Sequence, residues 1–150
     1  MSAIEHATGG RAQPVAHAFT RAALGAAGQL VWDFLTLLAL QRYADANAFL
    51  APGCRMQFPG GVEFTDCTAL PTRSVTIYRW VVKVFERCDE IAGADGTVVY
   101  NYGTLCGEWT DGTPFAGVRY IDRFLVRDGK IVDQKVWNDL CLAAAQRTRS

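Results

Sequence analysis

At 150 residues, half hydrophobic and a fifth charged, the chain is sized for one soluble domain with its own core. Fifteen Lys and Arg balance fifteen Asp and Glu, and no basic stripe interleaves with aromatics, so the electrostatic footprint of a nucleic-acid binder is missing. Five scattered cysteines without a C-x-x-C, and histidines only at positions 6 and 17, exclude a disulfide framework and a tetrahedral zinc site.

Residues 1–28 read as an N-terminal extension, flexible or helical. Positions 1–14 hold Gly9, Gly10 and Pro14 without periodicity, and 15–27 (VAHAFTRAALGAA) predict a short helix ended or bent near Gly25 and Gly28. The opening lacks the basic-then-apolar order of a signal peptide. The greasy run Leu30 to Leu40 is short and broken by Asp33 and Thr36, too little to span a bilayer. The expectation is a cytoplasmic protein with reduced cysteines and no membrane partner.

From Leu30 to Tyr43, apolar residues at 31, 34, 35 and 38 keep the helical period, and Trp32, Leu37 and Leu40 widen the stripe, so this helix should be enclosed on most sides. Asp45 reads as the N-cap of a short helix from Ala46 to Leu50, stopped by Pro52-Gly53. A strand from Cys54 to Phe58 follows, breaks at Pro59-Gly60-Gly61 and returns through Val62 to Thr65. Pro71 suits a first helical turn, which predicts a helix of about two to three turns ahead of a strand near 83–92. Turns at Ala94-Asp95-Gly96, Asp111-Gly112 and Arg127-Asp128-Gly129-Lys130 separate the strand 97–109 and two further long strands. Helices first and an antiparallel meander after them make the class α+β. The domain proper is placed at 29–141, with 142–150 as a tail.

The block 119–127 is the informative one. Arg119, Arg123 and Arg127 share one parity, and Tyr120, Asp122, Phe124 and Val126 share the other. Successive strand side chains point to opposite faces, so one face is basic and the other is aromatic with one acid in its middle. A carboxylate on an apolar face is costly unless it is paired, protonated or used. Asp122 is the candidate catalytic residue. The blander alternative, a buried acid satisfied by a neighbour and only holding register, stays open beside it.

The helix-then-meander layout, its Asp-Gly turns and the block YIDRFLVRDGKIV resemble the nuclear transport factor two-like superfamily over roughly residues 30–140. That group includes SnoaL-like polyketide cyclases, ketosteroid isomerase, limonene-epoxide hydrolase and scytalone dehydratase. The resemblance implies a cone: a strongly curved antiparallel sheet wraps the N-terminal helices around an apolar pocket, and two copies meet through the convex sheet face. It matches Asp122, in Tyr120-Ile121-Asp122-Arg123-Phe124, to the protonated oxyanion-stabilising carboxyl of ketosteroid isomerase. That enzyme's base has no counterpart, because Phe58 stands before Pro59. Val136 replaces a carboxylate of limonene-epoxide hydrolase, and the pocket histidines of scytalone dehydratase have no equivalent after position 17.

Strand parity sets Tyr120 and Phe124 beside Asp122, and Val132, Gln134, Val136 and Asn138 toward the cavity. On the strand 97–109 both parities hold apolar residues. There the resemblance favours Tyr100, Tyr102, Thr104 and Cys106 inside. Phe58, Trp32 and Tyr78 are expected as further wall residues. Aromatic walls with a few polar groups suit a small hydrophobic molecule bearing carbonyls or hydroxyls. The expected function is cofactor-independent acid/base proton transfer on a polyketide-, terpenoid- or steroid-like metabolite, as isomerisation, cyclisation or dehydration, with no metal and no cofactor. A non-catalytic binding module with the same pocket is the alternative. A subunit-interaction role, as in the small subunits of ring-hydroxylating dioxygenases, is a third.

Overall fold

Four long strands dominate a computed structural model of the chain, which describes residues 15–16 and 18–149; His6, His17 and the leader 1–14 lie outside the described residues. The elements are β1 (Val15–Ala16), α1 (Ala26–Ala39), α2 (Tyr43–Ala46), β2 (Leu50–Phe58), β3 (Val62–Phe64), α3 (Pro71–Ser74), β4 (Tyr78–Gly93), β5 (Gly96–Trp109), β6 (Pro114–Arg127), β7 (Lys130–Asn138) and α4 (Leu140–Arg147). They build one seven-stranded sheet of order β1-β4-β5-β6-β7-β2-β3. Strands β4 to β7 form the expected antiparallel meander, while β1/β4 and β2/β7 are parallel pairs, so the sheet is mixed.

The sheet curves where its ladder slips. Register shifts fall at Tyr78/Trp80 and Phe85/Arg87 on β4, and at Leu105/Gly107 on β5. Bulges add twist and bend a strand, and glycine marks the points where backbones crowd. At Gly103 an added Cβ would lie 2.0 Å from the Val84 carbonyl oxygen, and at Gly107 2.2 Å from that of Trp80. The β6–β7 turn has Asp128 and Gly129 both at positive φ (52° and 71°), the backbone that a tight hairpin matching strand twist requires.

Helix α1 lies across the concave face and buries Val31, Phe34 and Leu35. Phe34 meets Phe124 edge-on at 6.1 Å, at the centre of the core. Its first turn is held from across the sheet: the Gly25 and Gly28 amides each donate to the Glu90 carboxylate at 2.7 Å. A carboxylate there satisfies orphan N–H groups and complements the helix dipole. Gly28 is needed at that contact, since a Cβ would approach the Glu90 carboxylate carbon to 3.0 Å.

Several local expectations are corrected. The helix starts at Ala26 and runs through Gly28, where a break was expected; the Glu90 cap and close packing favour glycine there. Asp45 sits inside α2 and does not cap it, and β2 begins at Leu50, ahead of Pro52-Gly53. The helix from Pro71 is a single turn, and Tyr78 to Val82 belong to β4, where β-branched and aromatic residues satisfy a ladder with β5. No helix among the described residues is long and apolar enough to cross a membrane.

Candidate functional site

The inner face of the sheet carries a line of buried polar groups. Asn101 on β5, Asp122 on β6 and Gln134 on β7 are each at most 2% exposed. Asn101 is the direct cross-strand partner of Asp122, and Val136 faces Asp122 from the other side. The inward projection of Asp122 predicted by parity is what the structure has. Its Oδ2 lies 2.9 Å from Lys83 Nζ, and Oδ1 has no donor among the described residues. The Lys83 ammonium also rests 3.9 Å above the Tyr120 ring, a cation–π contact. The Tyr120 hydroxyl donates in turn to Asn101 Oδ1.

Burial dominates the electrostatics here. Loss of water raises the pKa of Asp122, and the Lys83 charge offsets that in part. The Tyr120 phenol is pushed up by burial first and by the neighbouring Asp122 charge second, so it remains a neutral donor. The thiols of Cys54 and Cys106 are both driven to about 11 by burial, which makes them inert packing groups.

Beside this pair opens a cavity of about 120 Å³ that is open to solvent at its mouth. Leu35, Leu38 and Ala39 of α1 roof it, and Val81, Leu105 and Val136 supply the sheet wall. Its polar groups are Tyr78, Lys83, Gln134 and Asn138 from the strands, with Gln41, Tyr43, Arg73 and Ser74 from the helical side. Asp122 is not itself in the lining and meets the cavity through Lys83. Gln134 Oε1 is buried without a donor. Asn138 Oδ1 accepts from the Leu140 amide at 3.1 Å. Burial pushes the Tyr78 phenol up to about 12, against an opposing pull from Arg73, and burial likewise raises Tyr43.

The expected wall residues divide into four groups. Phe58, Tyr78, Gln134, Val136 and Asn138 line the cavity. Tyr120 lies behind it with Asp122, under Lys83. Phe124 is sealed against Phe34, and Trp32 packs edge-on against Phe85 at 4.9 Å, a helical turn away from the roof, so neither meets the cavity. Tyr100, Tyr102 and Thr104 are corrected outright: they pair with Arg123, Ile121 and Arg119 on the outer face, and Val99, Asn101, Gly103 and Leu105 point inward instead. Cys106 likewise joins Val82 in a small separate cluster. On β7 the slip between Leu125 and Val126 turns Ile131 inward in place of Val132.

Lys83 is the functional residue that sequence reasoning missed. It shares an inward parity with Val81 and Phe85, the same signal that exposed Asp122: one charge on an apolar face. The outer arginines behave as surface groups, with Arg123 3.3 Å from Asp133 and Arg119 2.7 Å from Asp139. Such exposed pairs contribute about 0–1 kcal/mol. No group of three or more His, Cys, Asp or Glu gathers as a metal site among the described residues.

No protein-family model and no curated protein matches this sequence. Solved structures do match. An NTF2-like protein of unknown function from Burkholderia pseudomallei is 14% identical with a TM-score of 0.65, covering 81% of this chain and 97% of its own. A "putative polyketide cyclase" from Xanthomonas campestris pv. campestris is 20% identical with a TM-score of 0.64, covering 81% and 96%. TerC, co-crystallised with polyporic acid, is 14% identical with a TM-score of 0.63, covering 84% and 100%. Likeness at these identities carries the fold. The chain has the nuclear transport factor two-like fold, an α+β cone whose concave side holds the cavity.

Proposed function

We propose that this protein binds a small hydrophobic metabolite in the cavity and transfers a proton on it, with Lys83 and Asp122 as one acid/base unit. The carrying observation is a fully buried carboxylate whose counter-ion, Lys83, lies 2.9 Å away and lines a largely apolar cavity. An ammonium has three N–H donors. Asp122 and the Tyr120 face occupy two of them in this reading, and the third serves a carbonyl or enolate oxygen of the ligand.

The pair works in both directions. In its ionic form Lys83 hydrogen-bonds to, or protonates, a ligand oxygen as negative charge develops there. In the neutral tautomer the shared proton sits on Asp122, and the Lys83 amine takes an acidic carbon-bound proton. Burial favours the protonated carboxyl of Asp122, the direction this second form requires. Asp122 thus acts through Lys83. Isomerisation, cyclisation and dehydration all need this proton traffic.

A binding module without turnover is the second reading, favoured by the absence of Asp122 from the cavity lining. In the same reading two copies of the chain meet through the convex face. There Tyr102, Ile121 and Trp137 stand side by side across three strands, with Ile121 37% and Trp137 50% exposed. Native mass spectrometry of freshly purified protein identifies any retained molecule. That molecule is then incubated with wild type and Asp122→Asn and followed by chromatography. Binding retained with turnover lost supports the enzyme. Equal turnover by both proteins contradicts it, and ligand that never converts leaves the binding module.

A further inference from the structure

The charge balance around the cavity specifies its ligand further than shape does. Among the described residues no Asp or Glu lines it, and two cations do, Lys83 and Arg73. The Lys83 charge is balanced from behind by Asp122 at 2.9 Å. Among the described residues Arg73 has no such counter-ion. It donates to the Pro59 carbonyl at 3.3 Å and lies 5.8 Å from the centre of the Phe58 ring, neither of which carries charge. Arg21, Arg42, Arg79, Arg87, Arg119 and Arg123, by contrast, each hold a carboxylate. A half-buried guanidinium against an apolar hollow is costly while its charge is unmatched. It is also a fork suited to two oxygens of an anion.

A second observation points into the same space. Gln134 is 2% exposed, lines the cavity, and its Oε1 accepts no hydrogen bond among the described residues. A buried acceptor of this kind is normally satisfied, so it calls for a donor from a ligand.

Taking the cavity as the ligand site proposed above, we infer that its ligand is an acid: a flat apolar molecule carrying one negative charge on oxygen, which pairs with Arg73, and a hydroxyl, which donates to Gln134. A carboxylate and an ionised enol share that chemistry. The Ser74, Tyr43 and Tyr78 hydroxyls beside Arg73 add neutral donors for the same oxygens.

Isothermal titration with defined probes tests this. 3-Hydroxy-2-naphthoate carries the acid and the hydroxyl, its amide removes only the charge, 2-naphthoate removes only the hydroxyl, and 2,3-dihydroxy-1,4-naphthoquinone replaces the carboxylate by one ionised enol while its second hydroxyl stays as a donor. Wild type should bind one or both hydroxylated acids about 10- to 100-fold more tightly than the amide, the range of a charge-assisted hydrogen bond. The tighter acid identifies which oxygen acid the site takes. Arg73→Gln should abolish the preference, weakening the acid far more than the amide, and Arg73→Lys should keep part of it. Gln134→Leu should erase the advantage of 3-hydroxy-2-naphthoate over 2-naphthoate. Thermal melts of each variant confirm that it is folded. Equal binding of acid and amide by wild type, a preference that survives Arg73→Gln, or no binding of either acid overturns the inference. No turnover enters the readout. Arg73-dependent acid binding without any proton transfer would leave this inference standing and remove the catalytic reading. Proton transfer on neutral ketones without acid preference would do the reverse.

Discussion

Replacing Lys83 with Met keeps the aliphatic stem and strands Asp122 in the core without its counter-ion. At 2.9 Å and an effective dielectric constant of about 20, the attraction between the two charges is roughly 6 kcal/mol before desolvation. Removing one partner of a buried pair typically costs about 3–5 kcal/mol, because the remaining charge keeps its desolvation penalty. Asp122 has one escape, which is to take up a proton, and its pKa is already raised by burial. The cost of Lys83→Met should therefore shrink as pH falls. Urea unfolding at about pH 7.5 and about pH 5.5 measures both values. The double variant Lys83→Met/Asp122→Leu removes the orphaned charge and should recover most of the loss. A single-variant cost below about 1 kcal/mol at both pH values, or a double variant no more stable than the single, would refute the buried-pair argument.

Three more outcomes follow from the geometry. The folded pKa of Asp122 lies above its unfolded value of about 3.9. Between the two values the folded state binds the proton more tightly, so this group favours folding as pH falls through its raised pKa and is a standing cost above it. The stability of wild type minus that of Asp122→Asn should therefore rise between about pH 8 and about pH 4, and the opposite slope would contradict the burial account. Gly103→Ala drives a Cβ to 2.0 Å from the Val84 carbonyl oxygen and should cost about 3 kcal/mol in urea unfolding, whereas Gly129→Ala, with open space around it, should suffer only the strain of its positive φ. Trp137→Glu, on the convex face, should convert a sedimenting dimer to monomer without lowering the thermal midpoint of the monomer; a wild type that sediments as monomer removes the dimer from the account.

The β6–β7 hairpin was legible because its two parities differ so sharply. Arginines on one side and Tyr120, Asp122 and Phe124 on the other leave one orientation with an apolar core, and Asp128-Gly129 fixes the turn. Strand β5 offered no such contrast: Val98, Tyr100 and Tyr102 are as apolar as Val99, Gly103 and Leu105. Its face is decided by pairing with β6, which local pattern does not encode; the family resemblance favours the tyrosines inside, and the ladder with β6 puts them outside. Lys83 was hidden for a related reason. With a helix of about two to three turns expected from Pro71 and a strand only near 83–92, the alternation Val81-Lys83-Phe85 falls across that boundary and loses its meaning. The Glu90 cap on α1 joins residues more than 60 apart in sequence, and only the folded sheet brings them together.

The most direct test of the Lys83–Asp122 unit needs no knowledge of the natural substrate. β-Tetralone, a flat ketone with acidic carbon-bound protons, is incubated with the protein in D2O, and loss of its proton signals is followed by nuclear magnetic resonance. Wild type should accelerate exchange above the buffer rate, while folded Asp122→Asn and Lys83→Met should fall back toward that rate. Exchange that is equally fast in wild type and both variants, or absent in all three while the ketone binds, would contradict proton transfer by this pair.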